Sequence, residues 1–140
     1  MGKSKNIKIL VVDDQKDMQK IVQSSLKMLG YANIVAANNG RAALDVLDNQ
    51  RIDLIICDWN MPVMTGIEFL EKVRAQDKYK GTPFLMLTTE GYKENVFLAI
   101  EKGVTDYLVK PLVPAVLEKK LNEILGLTDE NSTQKNPLLQ

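Results

Sequence analysis

Short apolar, β-branched runs alternate along the chain with stretches whose apolar residues recur every three to four positions. The first run, Ile9-Leu-Val-Val12, has no polar alternation and predicts a strand covered on both faces. Met18, Ile21, Val22, Leu26 and Leu29 then mark one face of a helix that Gly30 closes. Residues 34–37 predict a weaker second strand, and residues 40–47 a short helix built on Ala43, Leu44 and Leu47. A third strand over 53–57 carries Leu54-Ile-Ile-Cys57, and a helix over 66–74 carries Ile67, Leu70 and Val73. Phe84-Leu-Met-Leu87 is the fourth strand, and a helix over 93–102 stops at Gly103. The fifth strand covers 107–109, and the last helix, 114–125, has Pro114 in its first turn and Gly126 behind it. Strand–helix units in strict alternation predict an α/β fold, a parallel sheet with helices on both faces. One domain is expected over residues 1–126, with residues 127–140 as a polar, mobile tail.

Composition narrows the chemistry. The 140 residues hold 18 Lys plus Arg and 18 Asp plus Glu, so the chain lacks the basic excess of a nucleic-acid binder. No apolar run approaches the roughly 20 residues of a membrane-spanning helix. No signal-peptide core is present either, and a cytoplasmic location is expected. Histidine is absent, which excludes Ser-His-Asp and Cys-His catalytic units and His-ligated metals. Cys57 is the single cysteine, so no internal disulfide forms. Any bound metal must be a hard cation held by oxygen.

In open parallel sheets, ligands bind beyond the carboxyl ends of the strands. Asp13 and Asp14 follow the first strand, Asp58 the third, Thr88 and Thr89 the fourth, and Lys110 the fifth, whereas the second ends in Ala36 and Ala37. That distribution suits a sheet in which the second strand is an edge. Each residue also has a plain structural explanation: Asp13-Asp14 as a helix cap, Asp58 as a turn residue, Thr88 as a β-former, Lys110 as a solvated lysine. Their coincidence at one edge points elsewhere. Crowded carboxylates repel one another unless a divalent cation joins them, and Mg²⁺ would suit Asp14 and Asp58, with Asp13 direct or through water. With a lysine and a hydroxyl beside them, such acids suit a phosphoryl group carried on an aspartate.

Four motifs then carry a resemblance: Leu10-Val-Val-Asp-Asp14, Asp58-Trp-Asn-Met-Pro62, Thr88-Thr-Glu90 and Tyr107-Leu-Val-Lys-Pro111. Together they resemble the response-regulator receiver domains, in particular the stand-alone chemotaxis regulators, over residues 8–125. The resemblance implies a flavodoxin-like (βα)5 doubly wound parallel sheet of strand order 2-1-3-4-5. It implies that Asp58 accepts a phosphoryl group from a histidine kinase. Asp13, Asp14, Asp58 and the backbone carbonyl of Asn60 would hold Mg²⁺, or Mn²⁺ in its place. Thr88 would be the switch hydroxyl, Lys110 the charge partner, and Tyr107 the aromatic that turns inward with Thr88. The bond to Pro111 would be cis, and the side chains of Asn60 and Glu90 would set the rate of dephosphorylation.

On the same basis the protein is a monomeric phosphoacceptor that assists only its own phosphorylation and dephosphorylation, not an enzyme in its own right. Its output partner would be the flagellar motor switch protein, bound through the fourth helix, fifth strand and fifth helix, with a phosphatase as a further partner. A phosphate sink or a regulator of a non-motor partner is the alternative. An Asp-nucleophile phosphatase of dehalogenase type is remote, because its Asp-x-Asp motif and cap domain are missing. A flavodoxin-like carrier needs a phosphate loop where this chain has acids, and no P-loop sequence is present. Thr89, Gln15, Leu112, Gly91, Tyr92 and the long tail depart from the chemotaxis pattern, and they bear on partner choice rather than on the phosphorylation chemistry.

Overall fold

The computed structural model describes residues 5–89 and 93–127. Ten elements alternate: β1 (Lys8–Val12), α1 (Lys16–Met28), β2 (Asn33–Ala37), α2 (Gly40–Asn49), β3 (Leu54–Asp58), α3 (Gly66–Ala75), β4 (Phe84–Thr88), α4 (Lys93–Glu101), β5 (Asp106–Val109) and α5 (Pro114–Leu125). The strands form one parallel sheet of order β2-β1-β3-β4-β5, as the resemblance implied.

The apolar runs read as doubly covered strands are that. Every residue of β3 and β4 is buried, whereas β2 is exposed at two of its five positions because it lies at the edge. One core layer packs Leu10, Ile55, Phe84 and Met86 against Ala43 and Leu47 of α2 and Phe69, Leu70 and Val73 of α3. The other packs Ile9, Val11, Ile56 and Leu85 against Val22 and Leu26 of α1 and Leu117 and Leu121 of α5. These alternate positions along each strand serve opposite layers, as the pleat requires.

One expected face is rotated. Ile21, read as part of the buried stripe of α1, is 48% exposed, and the buried positions are Gln19, Val22, Ser25 and Leu26. Two polar residues thus occupy a face that apolar counting assigned to isoleucine. Asp58 and Thr88 also close β3 and β4 from inside the strands rather than following them. Strand geometry therefore fixes both backbones. Capping settles the plainer explanation of Asp13-Asp14. Gln15 is the N-cap of α1 and makes no side-chain cap bond, while Asp13 Oδ1 accepts from Gln15 N–H at 2.9 Å. Neither acid is the cap itself. The tail from residue 128 onward lies outside the described residues.

Candidate functional site

Register brings the polar strand ends together. Val12 pairs with Cys57, Asp58 with Leu87, and Thr88 with Val109, so Asp13 stands level with Asp58, and Thr88 and Lys110 follow one and two residues beyond that level on the neighbouring strands. Lys110 N–H donates to the Thr88 carbonyl at 2.8 Å, and Trp59 N–H to the Leu87 carbonyl at 2.9 Å. The Lys110–Pro111 bond is cis, as expected. One carboxylate oxygen each of Asp13, Asp14 and Asp58 falls within 4.8 Å of the others. Lys110 Nζ lies 2.8 Å from Asp58 Oδ1 and 3.9 Å from Asp13 Oδ2. These four residues are brought together as the sequence suggested.

Asp13 is held on three sides. Its N–H donates to the Ala37 carbonyl at 3.1 Å, its Oδ1 accepts from Gln15 N–H, and its carbonyl accepts from Gln19 Nε2 at 2.6 Å. The remaining oxygen, Oδ2, is buried and receives no hydrogen bond. Such an atom is costly unless something positive meets it. Burial raises the Asp13 pKa, the bond from Gln15 opposes the rise, and the charge on Asp58 reinforces it. Lys110 offsets part of this, but one ammonium faces more than one carboxylate. An oxygen-only donor set with surplus negative charge and an undonated buried oxygen fits a hard divalent cation. Asp13, Asp14 and Asp58 would hold it.

Thr88 is buried at the end of β4. By strand alternation it shares a face with Met86, whose register partner is Tyr107. Tyr107 is half-buried, packs on the layer containing Phe84 and Met86, and has Lys120 Nζ 5.5 Å from its ring centroid. It stands behind Thr88 rather than among the acids. Asn60 is exposed two residues past Asp58, and Glu90, Gly91 and Tyr92 lie outside the described residues. Thr89 is exposed, and Leu112 packs onto the α1/α5 layer.

Sequence reading missed three contributors. Gly66 is one, because a Cβ there would collide with the Asp58 carbonyl oxygen. Its N–H also donates to the Trp59 carbonyl at 2.7 Å, so α3 starts pressed against the acidic strand end. Gln19 and Asn38 are the others. Gln19 Nε2 bonds Asn38 Oδ1 at 2.8 Å as well as the Asp13 carbonyl. A glutamine at a core position of an amphipathic helix was the available signal. Beyond the acids, Phe97, Ile100, Val109, Val113 and Val116 expose apolar side chains on α4, β5, α5 and the loop between β5 and α5.

Residues 9–122 match the response regulator receiver domain family. A chemotaxis protein CheY homolog of Campylobacter jejuni is 45% identical over 121 residues, covering 86% of this chain and 93% of that protein. The solved structure of Vibrio cholerae chemotaxis protein CheY4 is 44% identical, with a TM-score of 0.80 over 85% of this chain and 98% of that one. The receiver domain of a sensor histidine kinase from Pseudomonas aeruginosa, solved with a magnesium ion in its active-site cleft, is 29% identical. Its TM-score is 0.78 over 86% of this chain and 98% of that one.

Proposed function

This chain belongs to the response-regulator receiver family, and from that premise we propose that it is a chemotaxis regulator switched by a phosphoryl group on Asp58. The observation that supports this most is the pairing of Lys110 Nζ with Asp58 Oδ1 at 2.8 Å beside two further carboxylates. An Asp58 oxygen attacks the phosphorus of a kinase phosphohistidine, the P–N bond breaks, and an acyl phosphate forms. Lys110 then meets charge on the transferred oxygens. Mg²⁺ would be held by Asp13, Asp14 and Asp58, with the Asn60 carbonyl as a further ligand, and would supply charge neutralisation at the phosphoryl oxygens; the Pseudomonas receiver domain holds a magnesium ion in its active-site cleft. Asp13 and Asp14 keep their carboxylates toward that point, and buried Asp58 limits water at the bond being made.

The phosphoryl group adds about −1.5 to −2 charges and strong acceptors. The Thr88 hydroxyl turns to the phosphoryl oxygens in that state, and space opens behind it on the face shared with Tyr107. An inward turn of Tyr107 then changes the exposed apolar face of α4, β5 and α5, through which the output partner binds. In this reading the flagellar motor switch is that partner, and water removes the phosphate at a rate set by side chains at Asn60 and Glu90. The protein acts on no substrate beyond its own phosphoryl group. No described helix is long and apolar enough to cross a membrane.

The test is mass spectrometry after incubation with Mg²⁺ and a small acyl-phosphate donor. The wild type should gain one phosphoryl mass, and Asp58→Asn should gain none. A label that persists in Asp58→Asn overturns the assignment.

A further inference from the structure

Two of the acids that face the cation site leave β1 as it ends, and a strand end is where backbone is least held. Asp13 is nevertheless 1% exposed, so its carbonyl must find a donor inside the protein. The ladder offers none, because β2 stops at Ala37. The donor comes from α1. Gln19, 6% exposed, places Nε2 at 2.6 Å from the Asp13 carbonyl, 3.3 Å from the Ala37 carbonyl and 2.8 Å from Asn38 Oδ1. Acceptors from two segments, the end of β1 and the end of β2, converge on one amide nitrogen, whose two hydrogens serve the Asp13 carbonyl and Asn38 Oδ1 at the short distances while the Ala37 carbonyl lies farther off. The carbonyl of the peptide between Asp13 and Asp14 is thereby held toward α1.

We propose that Gln19, steadied by Asn38, is a positioning residue for the divalent-cation site: its amide sets the Asp13–Asp14 peptide so that both carboxylates reach Asp58. It touches neither cation nor phosphoryl group. It acts as outer-shell partners do, by holding a ligand in one orientation before the metal arrives. The α1 periodicity is consistent with this role. Gln19 sits on the same buried face as Val22 and Leu26, where an apolar side chain would pack and a polar one needs a specific partner. Asn38 adds a link to the edge strand, so the loop after β2 is coupled to the acids without contributing a ligand. The inference rests on the cation reading above.

Mg²⁺ titration followed by Trp59 fluorescence, alongside thermal unfolding with and without Mg²⁺, tests it. Gln19→Met keeps the length and packing of the side chain and removes the donor. Its Mg²⁺ dissociation constant should rise about tenfold or more. The Mg²⁺-dependent rise in melting temperature should shrink accordingly. A purely structural role lowers both melting temperatures together and leaves the dissociation constant unchanged, which overturns the inference. If Gln19→Met does not fold, Asn38→Ala decides. A rise in its dissociation constant supports the inference, and an unchanged value overturns it. A wild type that shows no response to Mg²⁺ instead removes the cation reading itself, so the two failures are distinct.

Discussion

The two ends of the sheet treat charge in opposite ways. At the amino end, Asp53, Asp48 and Arg74 find their partners within the chain, and the buried atom without a hydrogen bond there is the neutral Tyr31 hydroxyl just before β2. Asp53 accepts from Lys8 N–H at 2.9 Å and pairs with Arg51 at 3.4 Å, while Tyr79 donates to Asp48 at 3.0 Å. Arg74, near the end of α3, donates to the carbonyls of Gly103, Lys80 and Thr82 at 2.8, 2.9 and 2.7 Å. At the carboxyl end, three acids meet one lysine and a buried oxygen goes without a donor. Cleft size points the wrong way. A cleft of about 630 Å³ lies at the amino end, lined by residues such as Leu47, Ile52, Tyr79 and Pro83. Unmet charge, rather than volume, marks the end that awaits something from outside the chain.

The contrast predicts that the amino end can be broken without touching the site. Arg74→Ala removes the donor from three carbonyls and releases the turn at Gly103, whose positive φ of 97° places it against the arginine stem. Charged hydrogen bonds of this partly exposed kind should together be worth about 2–3 kcal/mol. Urea unfolding reads that loss. The Mg²⁺ dissociation constant should stay within about twofold, because distant sites add independently. A large change in Mg²⁺ affinity would show that the ends are not separate.

The converse change belongs at the carboxyl end. The folded pKa of Asp13 is raised, chiefly by burial, so the folded state holds that proton more tightly than the unfolded chain does. Its stabilising share is therefore present at low pH and lost as pH rises through the folded value, and at neutral pH the bare carboxylate opposes folding. Asp13→Asn removes the charge and keeps an oxygen for Gln15 N–H. Without Mg²⁺ the variant should melt higher than the wild type. With free Mg²⁺ at ten times the wild-type dissociation constant, the wild type should gain about 1.4 kcal/mol and the variant almost nothing. A variant that melts lower in both conditions would mean that Asp13 is there for stability.

The strands and helices were legible because they follow from local pattern. Runs such as Leu54-Ile-Ile-Cys57 admit few placements, and α5 spans 114–125 as its Pro114 and Gly126 suggest. The strand-end acids were legible because topology makes strand ends converge, and the family motifs supplied the order of the strands. What could not be read were relations between segments remote in sequence. Ile21 outscores Gln19 on any apolar count, and only the positions of Ala37 and Asn38 make a glutamine the better residue there. Gly66 looks like an ordinary helix start until the Asp58 carbonyl is seen against it.

The smallest predicted effect concerns backbone rather than charge. Val63, in the loop joining the Asp58 strand to α3, has φ of 72° and is 84% exposed. A β-branched residue is poorly suited to the left-handed region, at a cost of about 1–2 kcal/mol, and no buried contact of its side chain offsets that. Asparagine tolerates this conformation better, so Val63→Asn should stabilise the protein by roughly 0.5–1 kcal/mol in urea unfolding. Strain that remains where a single substitution would relieve it belongs with the unmet charge at the same end of the sheet, since functional ends commonly hold both. If Val63→Asn stabilises the fold and leaves phosphorylation of Asp58 unchanged, the strain is incidental. If it stabilises the fold and slows phosphorylation, the loop conformation is part of how the carboxyl end works, and the contrast between the two ends extends from side-chain charge to the backbone itself.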